Sequence, residues 1–199
     1  MHYAVALIGV LLFVAILYAE ELASKATLQY EKLAVCLAGG LLIPFMLTAL
    51  VRIHSGDNGR FLIPIPFVLA FLSDSGAYFV GCFFGKHKLA PVISPKKTVE
   101  GVFGGVAGAI VGMLIYGLVL DLGFGFHVNY FYAVVYGAIG SLAAVFGDLS
   151  FSAIKRQTGI KDYGNLIPGH GGVLDRFDSM TVVAPLAEAL LILLPVAVK

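Results

Sequence analysis

An all-α integral membrane protein, a polytopic bundle of about six transmembrane helices, is the architecture predicted by three features of this chain. Of its 199 residues, 59% are hydrophobic and only 13% are charged, against about 25% charged in an average soluble domain. Mean hydropathy is +0.95. Six apolar runs approach the roughly 20 residues needed to cross a bilayer: about 2–19, 33–51, 61–84, 102–120, 129–147 and 179–198. A soluble enzyme and a disordered chain are excluded. A net charge of +1 offers no field for a nucleic acid. The length suits one domain over 1–199, with N-terminal helices in 1–60 and the chemistry-bearing part in 61–199.

The first run has no basic residues ahead of it and ends at Glu20-Glu21 without a cleavage site, so it reads as a retained helix. Cys36 in the second run and Cys82 in the third form no CxxC or zinc-type spacing and read as packed thiols. Pro64, Pro66 and the polar Ser73-Asp74-Ser75-Gly76 interrupt the third run. A carboxylate in hydrocarbon is costly, so Asp74 should face a cavity, a cation or a partner; a structural hydrogen bond is the plainer alternative. In the fourth run Gly104, Gly108 and Gly112 form a ridge of small residues suited to close helix packing. The fifth and sixth runs flank the longest loop. With six crossings the first, third and fifth loops share one side and hold ten of the 13 basic residues: Lys25, Lys32, Lys86, Lys88, Lys96, Lys97, Lys155, Arg156, Lys161 and Arg176. The positive-inside rule places that side in the cytoplasm and both termini outside.

Two of those loops carry the chemistry. The third, Gly85 to Gly101, holds Lys86, Lys88, Ser94, Lys96, Lys97, Thr98 and Glu100 directly before the glycine-rich helix. Ammonium groups, hydroxyls and a helix N-terminus all suit phosphate; an ordinary basic juxtamembrane loop is the alternative. In the fifth loop Asp148, Lys155, Arg156 and Lys161 precede Gly169-His170-Gly171-Gly172-Val173-Leu174-Asp175-Arg176-Phe177-Asp178. Asp175 and Asp178 would share one helix face. Held near Asp148, three carboxylates repel unless a cation sits among them. Hard oxygen donors suit magnesium, which takes one or two carboxylates plus substrate phosphates. Helix capping is the competing reading of Asp175 and Asp178. His170 reads either as a base or phosphate donor, or as a structural hydrogen-bonding residue. Neither HExxH nor Gly-x-Ser-x-Gly is present, so zinc proteolysis and serine hydrolysis have no support.

The 27 residues from Ser152 to Asp178, with Lys155, Arg156, Lys161, Asp162, Gly164, Pro168, His170, Gly171, Gly172, Asp175, Arg176 and Asp178 in place, resemble the signature of phosphatidate cytidylyltransferases, the bacterial CDP-diacylglycerol synthases. Ser73-Asp74-Ser75-Gly76-Ala77-Tyr78 and Ile93-Ser94-Pro95-Lys96-Lys97-Thr98-Val99-Glu100-Gly101 resemble that family's other shared segments. Val99 stands where many members have tryptophan, and typical members carry two or three more N-terminal helices. The resemblance covers about 60–199. It implies a multi-pass inner-membrane enzyme, often a homodimer, that joins CTP to the membrane lipid phosphatidate and releases pyrophosphate. It further implies a magnesium–potassium centre at Asp148, Asp175 and Asp178.

Residues and resemblance together suggest a division of labour. Asp148, Asp175 and Asp178 would hold metal, with Lys161 and His170 beside the reaction. Asp74, Ser94, Lys96, Lys97, Thr98, Glu100, Lys155, Arg156, Gly171, Gly172 and Arg176 would bind substrate. A CTP-dependent transferase on another lipid, such as an ether lipid or a polyprenol, is the nearest rival. A cation-coupled transporter, with Asp74 and Asp148 as relay carboxylates, is the rival from another class.

Overall fold

The computed structural model describes residues 2–23, 30–164 and 171–199. The chain divides into two compact units, Met1–Thr48 and Ala49–Lys199. In the first, α1 (His2–Ala23) and α2 (Tyr30–Leu37) are followed by a π-helical turn, Ala38–Leu42, that runs on into α3 (Ile43–Ser55). A Cβ on Gly40 would overlap the Phe13 ring, so α1 meets this turn through a bare glycine.

The second unit contains α4 (Gly59–Leu62), α5 (Pro64–Phe84), β1 (Lys88–Ala90), β2 (Ser94–Thr98), α6 (Val99–Phe124), β3 (His127–Val128), α7 (Tyr130–Gln157), α8 (Leu174–Phe177), α9 (Met180–Leu193) and β4 (Ala197–Val198). Strands β1 and β2 form one antiparallel hairpin, and β3 pairs with β4. Helix α5 starts with proline at its first turn, where no N–H is needed. It then runs unbroken through Ser73–Gly76, contrary to the interruption expected there. The polar cluster serves packing instead: the buried Ser73 hydroxyl lies 2.7 Å from that of Ser141 on α7.

Helix α6 begins at Thr98, whose Oγ1 accepts the Gly101 N–H at 3.1 Å. Its glycine ridge presses on α5. A Cβ on Gly104 would lie 2.7 Å from the Gly76 carbonyl oxygen, and one on Gly108 2.6 Å from that of Leu72. The backbones meet because the side chains are missing. Helix α7 starts at Asn129, whose side chain caps the Tyr132 N–H at 3.2 Å. It continues ten residues past the expected end at 147, because residues 149–157 contain no glycine or proline. Lys155 and Arg156 fall in its last turn, where cations complement the helix dipole. Asp148, Lys155 and Arg156 thus belong to a helix, not a loop.

The last apolar run is shorter than expected. Helix α9 has 14 residues and spans ~21 Å. Pro195 excludes helical geometry at Leu194, which sits at φ −136° and ψ 71°. The chain then turns, and the Asn129 N–H donates to the Val196 carbonyl at 2.9 Å. Among the described residues, four helical stretches are long and apolar enough to cross a membrane: Leu33–Ser55, Gly59–Phe84, Val99–Phe124 and Tyr130–Gln157. The protein is all-α and multi-pass.

Within the second unit the two ends differ. At one, Tyr116 donates to the Phe61 carbonyl at 2.7 Å and Lys199 lies over the Phe61 and Phe126 rings. Between the ends Arg52 grips Glu188 of α9 with two hydrogen bonds of 2.6 Å. The other end gathers the β1–β2 hairpin, the end of α7 and the loop to α9, with Lys86, Lys88, Lys96, Lys97, Lys155, Arg156, Lys161 and Arg176. Lys25 and the side chain of Lys32 lie outside the described residues.

Candidate active site

The lysine-rich end contains a cavity of about 360 Å³ between α5, α6, α7 and the hairpin. Asp74, Ala77 and Tyr78 line it from α5, Lys96, Lys97 and Thr98 from β2, Gly101 and Val102 from α6, and Val145 and Asp148 from α7. Three segments distant in sequence meet here because the α6 glycines let α5 close on α6 while the hairpin folds over their ends.

Asp148 anchors the site. Its carboxylate pairs with Lys97 and accepts the Ser152 hydroxyl at 3.2 Å. Asp148, Ser152 and Lys155, at i, i+4 and i+7, share one face of α7. Beyond them sit the two later carboxylates. Lys155 Nζ is 2.8 Å from Asp175 and 3.9 Å from Asp178, and all three side chains are buried. Gly147 makes this approach possible: a Cβ there would lie 3.0 Å from Ser179 Cα. The turn holding Asp178 therefore rests on the backbone beside Asp148.

The two carboxylates differ electrically. Burial and the neighbouring Asp148 charge push the Asp178 carboxyl up to about 6, against the hydrogen bond it accepts from the Ser179 N–H. Burial would raise Asp175 as well, but Lys155 and the N–H groups of Gly172 and Tyr163 outweigh it and hold its carboxyl below the ordinary value. Those N–H groups bond at 2.9 and 2.8 Å. Gly171, at φ +81°, and Gly172 wrap the loop around Asp175. In the same loop Tyr163 bonds the Phe151 carbonyl at 3.1 Å, and burial followed by the Asp175 charge raises its phenol.

The residues singled out by sequence thus separate. Asp74, Lys96, Lys97, Thr98 and Asp148 line the cavity. Lys155, Asp175 and Asp178 form a buried cluster behind Asp148. Arg156 ties α7 to the hairpin turn through the Ile93 carbonyl at 3.3 Å. Glu100 accepts from the N–H groups of Lys86 and His87 and lies 2.6 Å from His87 Nδ1. Ser94 pairs with Ala90 inside the hairpin. Lys161 and Arg176 are exposed. His170 lies outside the described residues. Tyr78, Ser152 and Tyr163 lie inside the segments that resemble the family's shared ones, but those segments assign them no individual role, and Gly147 lies outside them. For Ser152 the i+4 spacing from Asp148 is a further, local signal.

Among the described residues, no three His, Cys, Asp or Glu side chains converge to hold a metal ion by themselves. The donor chemistry nevertheless fits magnesium. Asp74 and Asp148 both line the cavity, two hard oxygen donors of the kind magnesium takes when substrate phosphates complete its shell. Asp175 is committed to its own loop.

Comparison with known proteins identifies the family. The model of the cytidylyltransferase family matches residues 1–194. A phosphatidate cytidylyltransferase of Staphylococcus epidermidis is 44% identical over 136 residues, 68% of this chain and 51% of that protein. Those of Staphylococcus saprophyticus and Staphylococcus aureus are 39% identical over 177 residues and 43% identical over 136. They cover 89% and 68% of this chain and 66% and 51% of their own lengths. The chain spans about half the length of the S. epidermidis and S. aureus relatives it matches. With a family match running over nearly every residue, the chain belongs to the cytidylyltransferase family.

Proposed function

We propose that this chain carries the catalytic site of a phosphatidate cytidylyltransferase, which joins CTP to phosphatidate and releases pyrophosphate. The observation that carries the reading is the cavity where Asp74 and Asp148 meet Lys96 and Lys97 beside an apolar wall of Val102 and Val145. A polyphosphate needs the cations, a lipid needs the apolar wall, and the relatives' names join the two.

A lipid phosphate monoester has its second pKa near 6 and is largely dianionic at pH 7. One of its oxygens attacks the α-phosphorus of CTP, the bond to the β-phosphate oxygen breaks, and pyrophosphate departs. No strong base is required. The difficulty is bringing two polyanions together. Lys96 and Lys97 bind phosphate oxygens from the hairpin side. Asp148 and Asp74, on facing walls of the cavity, would hold magnesium together with phosphate oxygens, with the Asp178 charge behind them; a bound cation would supply charge neutralisation and an in-line template. Lys155 and Asp175 keep α7 and the last loop in register, and Gly171 and Gly172 let the backbone approach the nucleotide. The lysine-rich end faces the cytoplasm of a bacterial inner membrane, and the protein works as a homodimer.

The deciding experiment gives purified protein CTP, magnesium and phosphatidate. Pyrophosphate release coupled to CDP-diacylglycerol supports the reading. Turnover confined to an ether lipid or polyprenyl phosphate reassigns the substrate, and ion flux without turnover refutes the enzyme.

A further inference from the structure

The two lysines paired with the acidic cluster are held very differently. Lys155 sits in the last turn of α7 with its side chain 10% exposed. It bonds Asp175 at 2.8 Å and lies over the Tyr163 ring at 5.3 Å. Its ammonium is held between two carboxylates and a ring. Lys97 is on the hairpin, in the cavity wall, and its contact is the Asp148 carboxylate. The hairpin backbone around it is fixed: the Val99 N–H donates to the His87 carbonyl at 2.9 Å, and Glu100 clasps His87. A fixed backbone bearing a flexible four-carbon stem confines motion to the side chain.

Asp148 is thus neutralised by a tethered cation at the point where a divalent ion would be held. A metal ion and the Lys97 ammonium cannot both use that carboxylate without strong repulsion. Once displaced, the ammonium still faces the cavity, where a phosphate oxygen is its natural partner. We propose that Lys97 is a displaceable counter-cation. It occupies Asp148 in the resting protein, weakens metal binding there, and transfers to a phosphate oxygen when metal and nucleotide arrive together. The inference rests on reading the cavity as a metal–phosphate site. It adds a binding order: metal alone binds poorly, and a phosphate ligand releases the block.

The test uses the full chain in detergent with manganese(II) alone, without nucleotide or lipid, counting free ion by electron paramagnetic resonance. Removing one positive charge about 4 Å from a divalent ion should tighten binding on the order of 10- to 100-fold in Lys97→Met. Lys97→Gln, which still donates a hydrogen bond to Asp148 and so protects folding, should show the same direction at smaller size. Lys97→Arg should stay near wild type, and Asp148→Asn placed on Lys97→Met should abolish the gain. Affinity in Lys97→Met and Lys97→Gln equal to or weaker than wild type overturns the proposal. So does a gain that survives Asp148→Asn. Because no substrate is present, failure here leaves the proposed transfer reaction standing. Failure of the turnover assay likewise leaves the counter-cation intact.

Discussion

Asp175 and Asp178 lie three residues apart and look equivalent in sequence, yet the structure predicts opposite responses to loss of charge. Asp175, with its side chain 5% exposed, bonds Lys155 at 2.8 Å and accepts two backbone N–H groups. Asparagine can keep the two backbone bonds through its carbonyl oxygen, but it then turns an NH₂ toward the Lys155 ammonium. Breaking one partner of a buried pair costs about 3–5 kcal/mol. Asp178, 3.9 Å from Lys155, retains part of the compensation, so a loss of about 2–4 kcal/mol is expected. For a chain of this size that is a fall of roughly 5–12 °C in melting temperature. Asp178→Asn removes a buried charge that Asp148 already opposes, and its amide oxygen can still accept the Ser179 N–H. Its melting temperature in chelator should match or exceed wild type. The chain has no tryptophan, so far-UV circular dichroism in detergent is the assay. Lys155→Met added to Asp175→Asn should recover part of the loss, since the pair is coupled. If Asp175→Asn melts within about 2 °C of wild type, or Asp178→Asn falls as far, the division between the two carboxylates is wrong.

The pH dependence follows from the same cluster. Asp178 titrates at about 6 when folded against ~3.9 unfolded. Its ionisation therefore disfavours the fold, and its stabilising effect is complete below about pH 4 and lost as pH rises through about 6. Metal-free protein should melt higher at pH 5 than at pH 7.5, and Asp178→Asn should flatten that difference; an unchanged slope in the variant would assign it elsewhere. Asp175, lowered by its bonds, works in the opposite sense and only at more acid pH. Cytidylyl transfer should vanish in excess chelator, and calcium should substitute poorly because it does not favour magnesium's octahedron; full activity without divalent ion would remove metal from the mechanism. Gly108→Leu should cost about 3 kcal/mol or more through overpacking, since its Cβ would sit 2.6 Å from the Leu72 carbonyl oxygen; a wild-type melt would mean that α5 and α6 are farther apart. Cysteine labelling should reach Lys88→Cys from the cytoplasm and Lys199→Cys from outside; the reverse result would invert the topology, and labelling both from one side would mean that the two ends of the bundle do not face opposite sides.

Much of the site is legible in the order of residues. Asp74 stands out because a carboxylate inside an apolar run demands a reason, and it lines the cavity. Lys96, Lys97 and Thr98 stand out by density of charge and hydroxyl ahead of a glycine-rich helix, and they form the cavity's hairpin wall. Glu100 and Arg156 belong to the same dense segments, yet their side chains clasp the hairpin's own backbone. Charge in a sequence does not say whether its partner is a ligand or a neighbouring loop.

Composition and run length dictate the all-α membrane architecture, because hydrocarbon imposes a pattern that no other environment requires. The spacing of Gly104 and Gly108 dictates their helix-packing role, because small residues four apart have few other uses in a span. A 27-residue signature points to the family. Which carboxylate meets which lysine emerges only on folding. Asp148 pairs with Lys97 across 51 positions and Lys155 with Asp175 across 20, distances over which local periodicity carries no information. The end of the last helix at Leu193 has a local cause in Pro195 and a tertiary one in the pairing of β3 with β4, and together they override an apolar run. Hydrophobicity sets how long a helix could be; backbone geometry and the partner strand set where it stops.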